Sequence, residues 1–259
     1  MGCLRSPVPL SVLILEAVLR RDVRNCRRSY MSDSLNPGVW HCQRSLPTCD
    51  DGRVPARPKM NSDPDFLAEK IGRIHDLHVA PLNALVEQWR QEGRAVPWVD
   101  PDSGGVDSRI LFLLESPGPA SSAEHGSGVI STDNNDQTAA RFWRLSTHAG
   151  LDRASYISWN VVPWYISENH KSANATAADG REALPYLHQF IQRLPALRIV
   201  VVMGVLAESC WLRYLRRPDS PVLPLVTTAH PSASSRRGRP AFEQDIAVAM
   251  AKARVVAGG

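Results

Sequence analysis

The chain has 259 residues, 43% of them hydrophobic, enough for one α/β domain with a buried core and an extension. The net charge of +4 is unevenly spread: residues 1–60 carry ten Lys or Arg against five Asp or Glu, so this segment holds +5 and the remainder −1. That excludes a broadly basic core, and any cationic surface on it must be local.

Residues 1–59 hold Pro, Arg, Ser and four of the five cysteines, with no periodic apolar pattern after Leu19, and they read as a basic, disordered extension. Val8 to Leu15 is apolar behind Arg5, but Glu16 and Arg20-Arg21 interrupt it, no small-residue cleavage site follows, and it is far too short to span a bilayer. A cytoplasmic, monomeric protein without membrane contact is the expectation. Cys3, Cys26, Cys42 and Cys49 all lie here, and Cys42 and Cys49 lack Cys-x-x-Cys spacing, so reduced thiols are expected rather than zinc or disulfides. Met60 opens Met60-Asn61-Ser62-Asp63-Pro64-Asp65-Phe66, a natural helix start; residues 1–59 thus read as an over-long translation start before a domain at 60–259.

Apolar positions at Phe66, Leu67, Ile71, Ile74 and Leu77, then Leu82, Leu85, Val86 and Trp89, predict helix over 62–93, broken near Pro81. Arg109 to Leu114 is a continuous apolar run, as in a parallel strand covered on both faces. Asp136 can cap a helix through Ala139, Phe142, Trp143 and Leu145 that stops at Gly150, and a strand follows at Tyr156 to Val162. Asp179 with Glu182 resembles a capping box opening a helix with Leu184, Leu187, Phe190, Ile191 and Leu194 on one face. Leu197 to Met203 is the clearest strand. Gly204 begins a helix, Val222 to Thr227 is a strand, and 240–256 a closing helix. Four β runs alternating with helices predict a three-layer α/β/α sandwich around a four-stranded parallel sheet.

Three polar clusters fall at strand ends: Glu115-Ser116-Pro117-Gly118-Pro119, then Asn160 within Ser158-Trp159-Asn160-Val161-Val162-Pro163-Trp164, then His230-Pro231-Ser232. In parallel sheets the ligand site lies beyond the carboxyl ends of the strands, so the three predict one site. Taken alone, each is ordinary turn chemistry; together, in this order, they resemble the uracil-DNA glycosylase superfamily over residues 109–232.

The resemblance implies that the protein flips uracil out of DNA and hydrolyses its N-glycosidic bond, leaving an abasic site. By motif match, His230 would hydrogen-bond the uracil O2 as it gains charge, and Asn160 would read N3–H and O4, which a carboxamide matches with one acceptor and one donor. Where the commonest branch has Asp before the Pro, this chain has Ser116, which cannot act as a carboxylate base. Glu115, where iron-sulfur branches also carry Glu, becomes the candidate for positioning water. Strand alternation predicts that Glu115 and Ser116 do not both face the base. Pro117 and Gly118 would wall the pocket, Gly118 replacing the tyrosine that excludes thymine. Val129 or Ile130 would stand where relatives stack a Phe. Asp133-Asn134-Asn135-Asp136 reads as helix capping in preference to site lining. Ser232, Ser234, Arg236, Arg237 and Arg239 would clamp DNA phosphates, an Arg filling the gap left by the flipped base. Trp164 occupies an iron-sulfur ligand position, so no cofactor and no metal are expected. The basic insertion with a reactive histidine found in covalently trapping relatives is missing, which implies turnover. The alternatives are a binding protein of the same fold that lost hydrolysis, suggested by Ser116, and a glycosylase for another damaged base.

Overall fold

The computed structural model describes residues 58–168, 171–172, 174–232 and 242–258. A short 3-10 turn, Met60–Ser62, leads to Asp63, whose carboxylate accepts from the backbone N–H groups of Asp65 and Phe66 and so caps helix α1, Pro64–Gly72. Helix α2 is Ala80–Gln91. Pro81 does not break the helical run: it sits in the first turn of α2, where its missing N–H has no partner to lose, and the interruption falls at residues 73–79. Strand β1, Trp98–Val99, pairs in parallel with β3, Val129–Ile130, beside the main sheet. Strand β2 is Ile110–Leu114, helix α3 Gln137–His148 and strand β4 Tyr156–Asn160. A small antiparallel pair, β5 (Ser167–Glu168) and β6 (Lys171–Ser172), precedes helices α4 (Ala177–Glu182) and α5 (Leu184–Ile191). Strand β7 (Ile199–Met203), helix α6 (Val205–Tyr214), strand β8 (Leu225–Thr228) and helix α7 (Phe242–Ala257) complete the described chain.

The main sheet is four-stranded and wholly parallel in the order β4-β2-β7-β8. Alternation along the strands divides the core in two. Leu111 and Leu113 of β2 with Val200 and Val202 of β7 face Leu82, Val86 and Trp89 of α2, Phe190 of α5 and Trp211 of α6. Ile110, Phe112, Ile199, Val201 and Met203 face Phe142 of α3 and Ile246 and Met250 of α7. The α/β/α sandwich is thus dictated by strands that are apolar on both faces.

Three local features differ from the sequence expectation. The capping box opens on Thr176 instead of Asp179: the Thr176 hydroxyl accepts from the N–H groups of Ala178 and Asp179, while the Asp179 carboxylate accepts from Thr176 N–H at 2.7 Å. The helix so started ends at Glu182, because Pro185 offers no N–H to continue it, and α5 begins afresh at Leu184. The last strand begins at Leu225, with Val222 fully exposed before it. The strand expected over 156–162 ends at Asn160. No described helix is long and apolar enough to cross a membrane.

Candidate active site

Register sets the site. Leu114, the last residue of β2, pairs with Asn160, the last of β4, and Met203, the last of β7, pairs with Thr228, the last of β8. Four strands therefore end at one level. The ladder persists one step further, Val161 N–H donating to the Leu114 carbonyl at 2.9 Å and Val162 N–H to the Glu115 carbonyl at 3.0 Å. Residues just past each end, Glu115 to Pro119 and His230 to Ser232, are thereby delivered to the same edge as Asn160.

A cavity of about 410 Å³ opens there. From the motifs, Glu115, Ser116, Pro117, Gly118, Asn160, His230 and Ser232 all line it, as does Ile130. Glu115 and Ser116 share the cavity despite the expected alternation, because both lie beyond Leu114, where the extended strand has ended. Val129 does not line it; it is fully buried, and only its neighbour Ile130 reaches the cavity. A Cβ at Gly118 would meet nothing within 4 Å, so the cavity has no wall at that point. Ser234, Arg236, Arg237 and Arg239 lie outside the described residues.

Asn160 is 4% exposed, and its carboxamide makes no hydrogen bond to any other described residue. The carboxamide lines the cavity, so its donor and acceptor stand ready for something bound there. His230 is held differently. The Ser232 backbone N–H donates to its Nδ1 at 3.2 Å, which makes Nδ1 the acceptor and assigns the ring proton to Nε2. Burial pushes the His230 pKa below its ordinary 6.5, and the Glu115 and Asp136 carboxylates only partly oppose that. The ring is a neutral hydrogen-bond donor at pH 7.

Glu115 Oε1 accepts from the N–H of Leu206, at 3.3 Å, at the N-terminus of α6, where a carboxylate meets the partial positive charge of the helix end. The turn from β7 into α6 passes so close that a Cβ at Gly204 would lie 2.6 Å from that oxygen and 3.2 Å from the His230 Cβ. With φ at 109°, only glycine suits this position.

Several cavity residues escaped the sequence reading. Asp136 caps α3 through the N–H groups of Thr138 and Ala139 and also lines the cavity, so capping and lining are not exclusive. Phe142 supplies an aromatic wall from nearly two turns further along α3, packed edge-on against Phe112 at 5.0 Å. Thr132 and Ser158 present buried hydroxyls with no hydrogen-bond partner among the described residues. Ser158 was within reach of sequence reasoning, since it lies two residues before Asn160 on the same face of β4. Phe142 was not, because helical periodicity assigns it to the core, where it also belongs.

Asp133 neither lines the cavity nor caps the helix. With Asp100 and Asp102 it forms a trio of carboxylates close enough together to bind a cation. Their charge is met instead by Lys70, whose Nζ lies 2.7, 3.1 and 2.9 Å from Asp133, Asp100 and Asp102, and by Arg153, 2.6 Å from Asp100 and 2.8 Å from Asp133. At the position expected to lack an iron-sulfur ligand, Trp164 packs into the core, with the Arg94 guanidinium 4.4 Å from its ring centre. Among the described residues Cys210 is the one cysteine, and it is buried.

Against known proteins, residues 101–253 match the family model of the uracil DNA glycosylase superfamily. Two solved structures are similar. SMUG2 from Pedobacter heparinus is 13% identical, with a TM-score of 0.42, covering 57% of this chain and 75% of that one. A protein from Methanosarcina acetivorans, described as a uracil DNA glycosylase candidate, is 17% identical, with a TM-score of 0.36, covering 57% of this chain and 92% of that one. No curated protein sequence matches the chain.

Proposed function

We propose that this chain, which belongs to the uracil DNA glycosylase superfamily, excises uracil from DNA by hydrolysing its N-glycosidic bond. The observation that carries the reading is the unpartnered carboxamide of Asn160, buried in a cavity that also holds His230. Asn160 offers an acceptor to uracil N3–H and a donor to O4; cytosine presents the opposite pair and leaves both groups unmet. Bond cleavage drives negative charge onto the base oxygens and positive charge onto the deoxyribose. His230, donating through Nε2–H, strengthens its bond to O2 as that charge develops. Glu115 sits beside His230 with one oxygen held by Leu206 N–H, which fixes the carboxylate for orienting water or facing the cationic sugar. The phosphate contacts belong to Ser232 and the basic segment that follows it, and the functional domain is residues 60–259.

The test is alkaline cleavage of abasic sites after single-turnover incubation with uracil-containing oligonucleotides. Asn160→Asp replaces the donor to O4 with an acceptor, and uracil excision should fall about ten-thousandfold, as when a hydrogen-bonding site meets a mismatched partner. Excision at the parental rate removes Asn160 from base recognition and, with it, the convergence of the three motifs on one site. Binding of uracil-containing DNA without cleavage would instead favour a protein that kept the pocket and lost hydrolysis, the reading that Ser116 invites.

A further inference from the structure

One peptide group holds the His230 ring through a hydrogen bond to Nδ1. Ser232 N–H, which donates to Nδ1, and the Pro231 carbonyl are the two ends of one planar unit. That carbonyl accepts a hydrogen bond from Arg141 Nη1, reaching over from α3. Arg141 is itself fixed: its Nε donates to Glu243 Oε1 at 2.8 Å, and its guanidinium lies 5.2 Å from the Phe242 ring centre, both residues opening α7. Glu243 is anchored in turn by Arg144 Nη2, 2.9 Å from both carboxylate oxygens.

We propose that Arg141 is a positioning residue for the glycosylase reaction: its guanidinium, oriented by Glu243, grips the Pro231–Ser232 peptide and thereby sets which nitrogen of His230 carries the proton. A cation on the carbonyl polarises the peptide, and the N–H at its other end becomes a better donor to Nδ1. Proline adds to this by fixing its own φ, which narrows the orientations the peptide can take. The relay follows the logic by which a carboxylate behind an imidazole fixes its tautomer, with a peptide as the intermediate link. Glu115 from the end of β2 and Asp136 from the start of α3 are charged groups acting on the ring among the described residues; both favour a protonated ring, and the Ser232 N–H opposes them by occupying the nitrogen that would gain the proton. Arg141 and Arg144 are the two arginines of one α3 face, but only Arg141 reaches the peptide.

This inference rests on the glycosylase reading for its kinetic consequence, yet its structural core is measurable without substrate. Imidazole nitrogen NMR shifts of His230 in the full chain report the tautomer directly. The parent should show Nε2–H with Nδ1 as acceptor. Arg141→Gln should show a tautomer mixture and excise uracil roughly tenfold more slowly in single turnover, the scale of losing a partner that orients a metal-bound imidazole, while apparent DNA affinity moves little. Arg141→Lys, a cation without the planar fork that serves Glu243 and Pro231 together, should fall between the two. Parental nitrogen shifts in Arg141→Gln would overturn the proposal. Should that variant not fold, Glu243→Gln leaves the guanidinium in place but unanchored and should shift the tautomer in the same direction; unchanged shifts there overturn it equally. A tautomer that responds in a protein that excises no uracil would uphold the relay and reject the glycosylase reading.

Discussion

Two buried polar regions lie side by side, joined by residues 130–136, and they treat their charges in opposite ways. In the cluster around Lys70, which is 1% exposed, the three carboxylates of Asp100, Asp102 and Asp133 face the cations of Lys70, Arg73 and Arg153. Lys70 Nζ also donates to the Ser131 hydroxyl. In the cavity, which Thr132 lines next in the chain to Asp133, the Asn160 side chain has no partner among the described residues and the hydroxyls of Thr132 and Ser158 are unpaired. Buried polar groups are ordinarily satisfied. Where they satisfy one another they hold the fold, and where they line a cavity unpaired they can meet a ligand. The cluster carries more charge than the cavity, yet its carboxylates are met by the cations beside them.

The largest effect that would break this comparison is on the cluster. Lys70→Met leaves Asp100 and Asp133 buried beside a single remaining guanidinium, and unfolding in urea should show a loss of about 3–5 kcal/mol. A loss below about 1 kcal/mol would mean that the carboxylates are met elsewhere. The pH dependence has a defined sign. Burial works against the charged lysine, but Asp100 and Asp133 outweigh it and raise its pKa above 10.5, so its contribution is complete below that value and fades as pH rises through the folded pKa. Burial likewise works against the Asp100 carboxylate, but Lys70 and Arg153 hold its pKa below 3.8, so its contribution is present above that value and fades as pH falls through the folded pKa. The difference between parent and variant should be flat between these limits and shrink outside them.

Next comes His230→Ala, which should slow single-turnover excision about 10²–10³-fold, the effect of removing one donor from a developing oxyanion. DNA binding should change far less, because the hydrogen bond strengthens only as charge reaches the base. Since burial sets the His230 pKa below 6.5, parental excision should be level near pH 7 and decline as pH falls through that lowered value, when protonation at Nδ1 displaces the Ser232 N–H. The variant should lack that acid limb. An unchanged rate in His230→Ala would place the ring outside the reaction.

Both regions are written in the sequence with the same letters, and this is where legibility ended. The strands could be read because β2 and β7 are continuous apolar runs, which only a sheet covered on both faces accommodates. The convergence of Glu115, Asn160 and His230 followed from strand ends, which in a parallel sheet share one edge. The sequence Asp133-Asn134-Asn135-Asp136, by contrast, marked Asp136 as a cap and left its three neighbours without distinct roles. In the fold Asp133 joins Lys70, Asn134 bonds to Ser121, Ser127 and the Val129 carbonyl, Asn135 is exposed, and Asp136 caps α3 at the cavity. What separates them is contact with Lys70 and Arg153, 63 and 20 positions away, and no local pattern records such distances. The misplaced capping box has a similar origin. Thr176-x-x-Asp179 and Asp179-x-x-Glu182 overlap, either can open a helix, and Pro185 then divides the run into α4 and α5.

The smallest effect tests the comparison most directly, because it concerns the sign of a stability change. An amide that faces the cavity without protein partners adds nothing to the fold, so replacing it with an apolar side chain of similar shape should be neutral or stabilising. Asn160→Leu keeps the volume at the end of β4 and removes both polar atoms from a site flanked by Val161 and Trp159, which are buried apolar residues. The variant should melt at or above the parental midpoint, a gain of up to about 1 kcal/mol, while losing uracil excision. Lys70→Met, equally buried, should do the reverse to stability. If Asn160→Leu instead loses more than about 1 kcal/mol, its carboxamide is holding the fold as the Lys70 cluster does, and the contrast between a self-satisfied region and an open one fails at the residue on which base recognition depends.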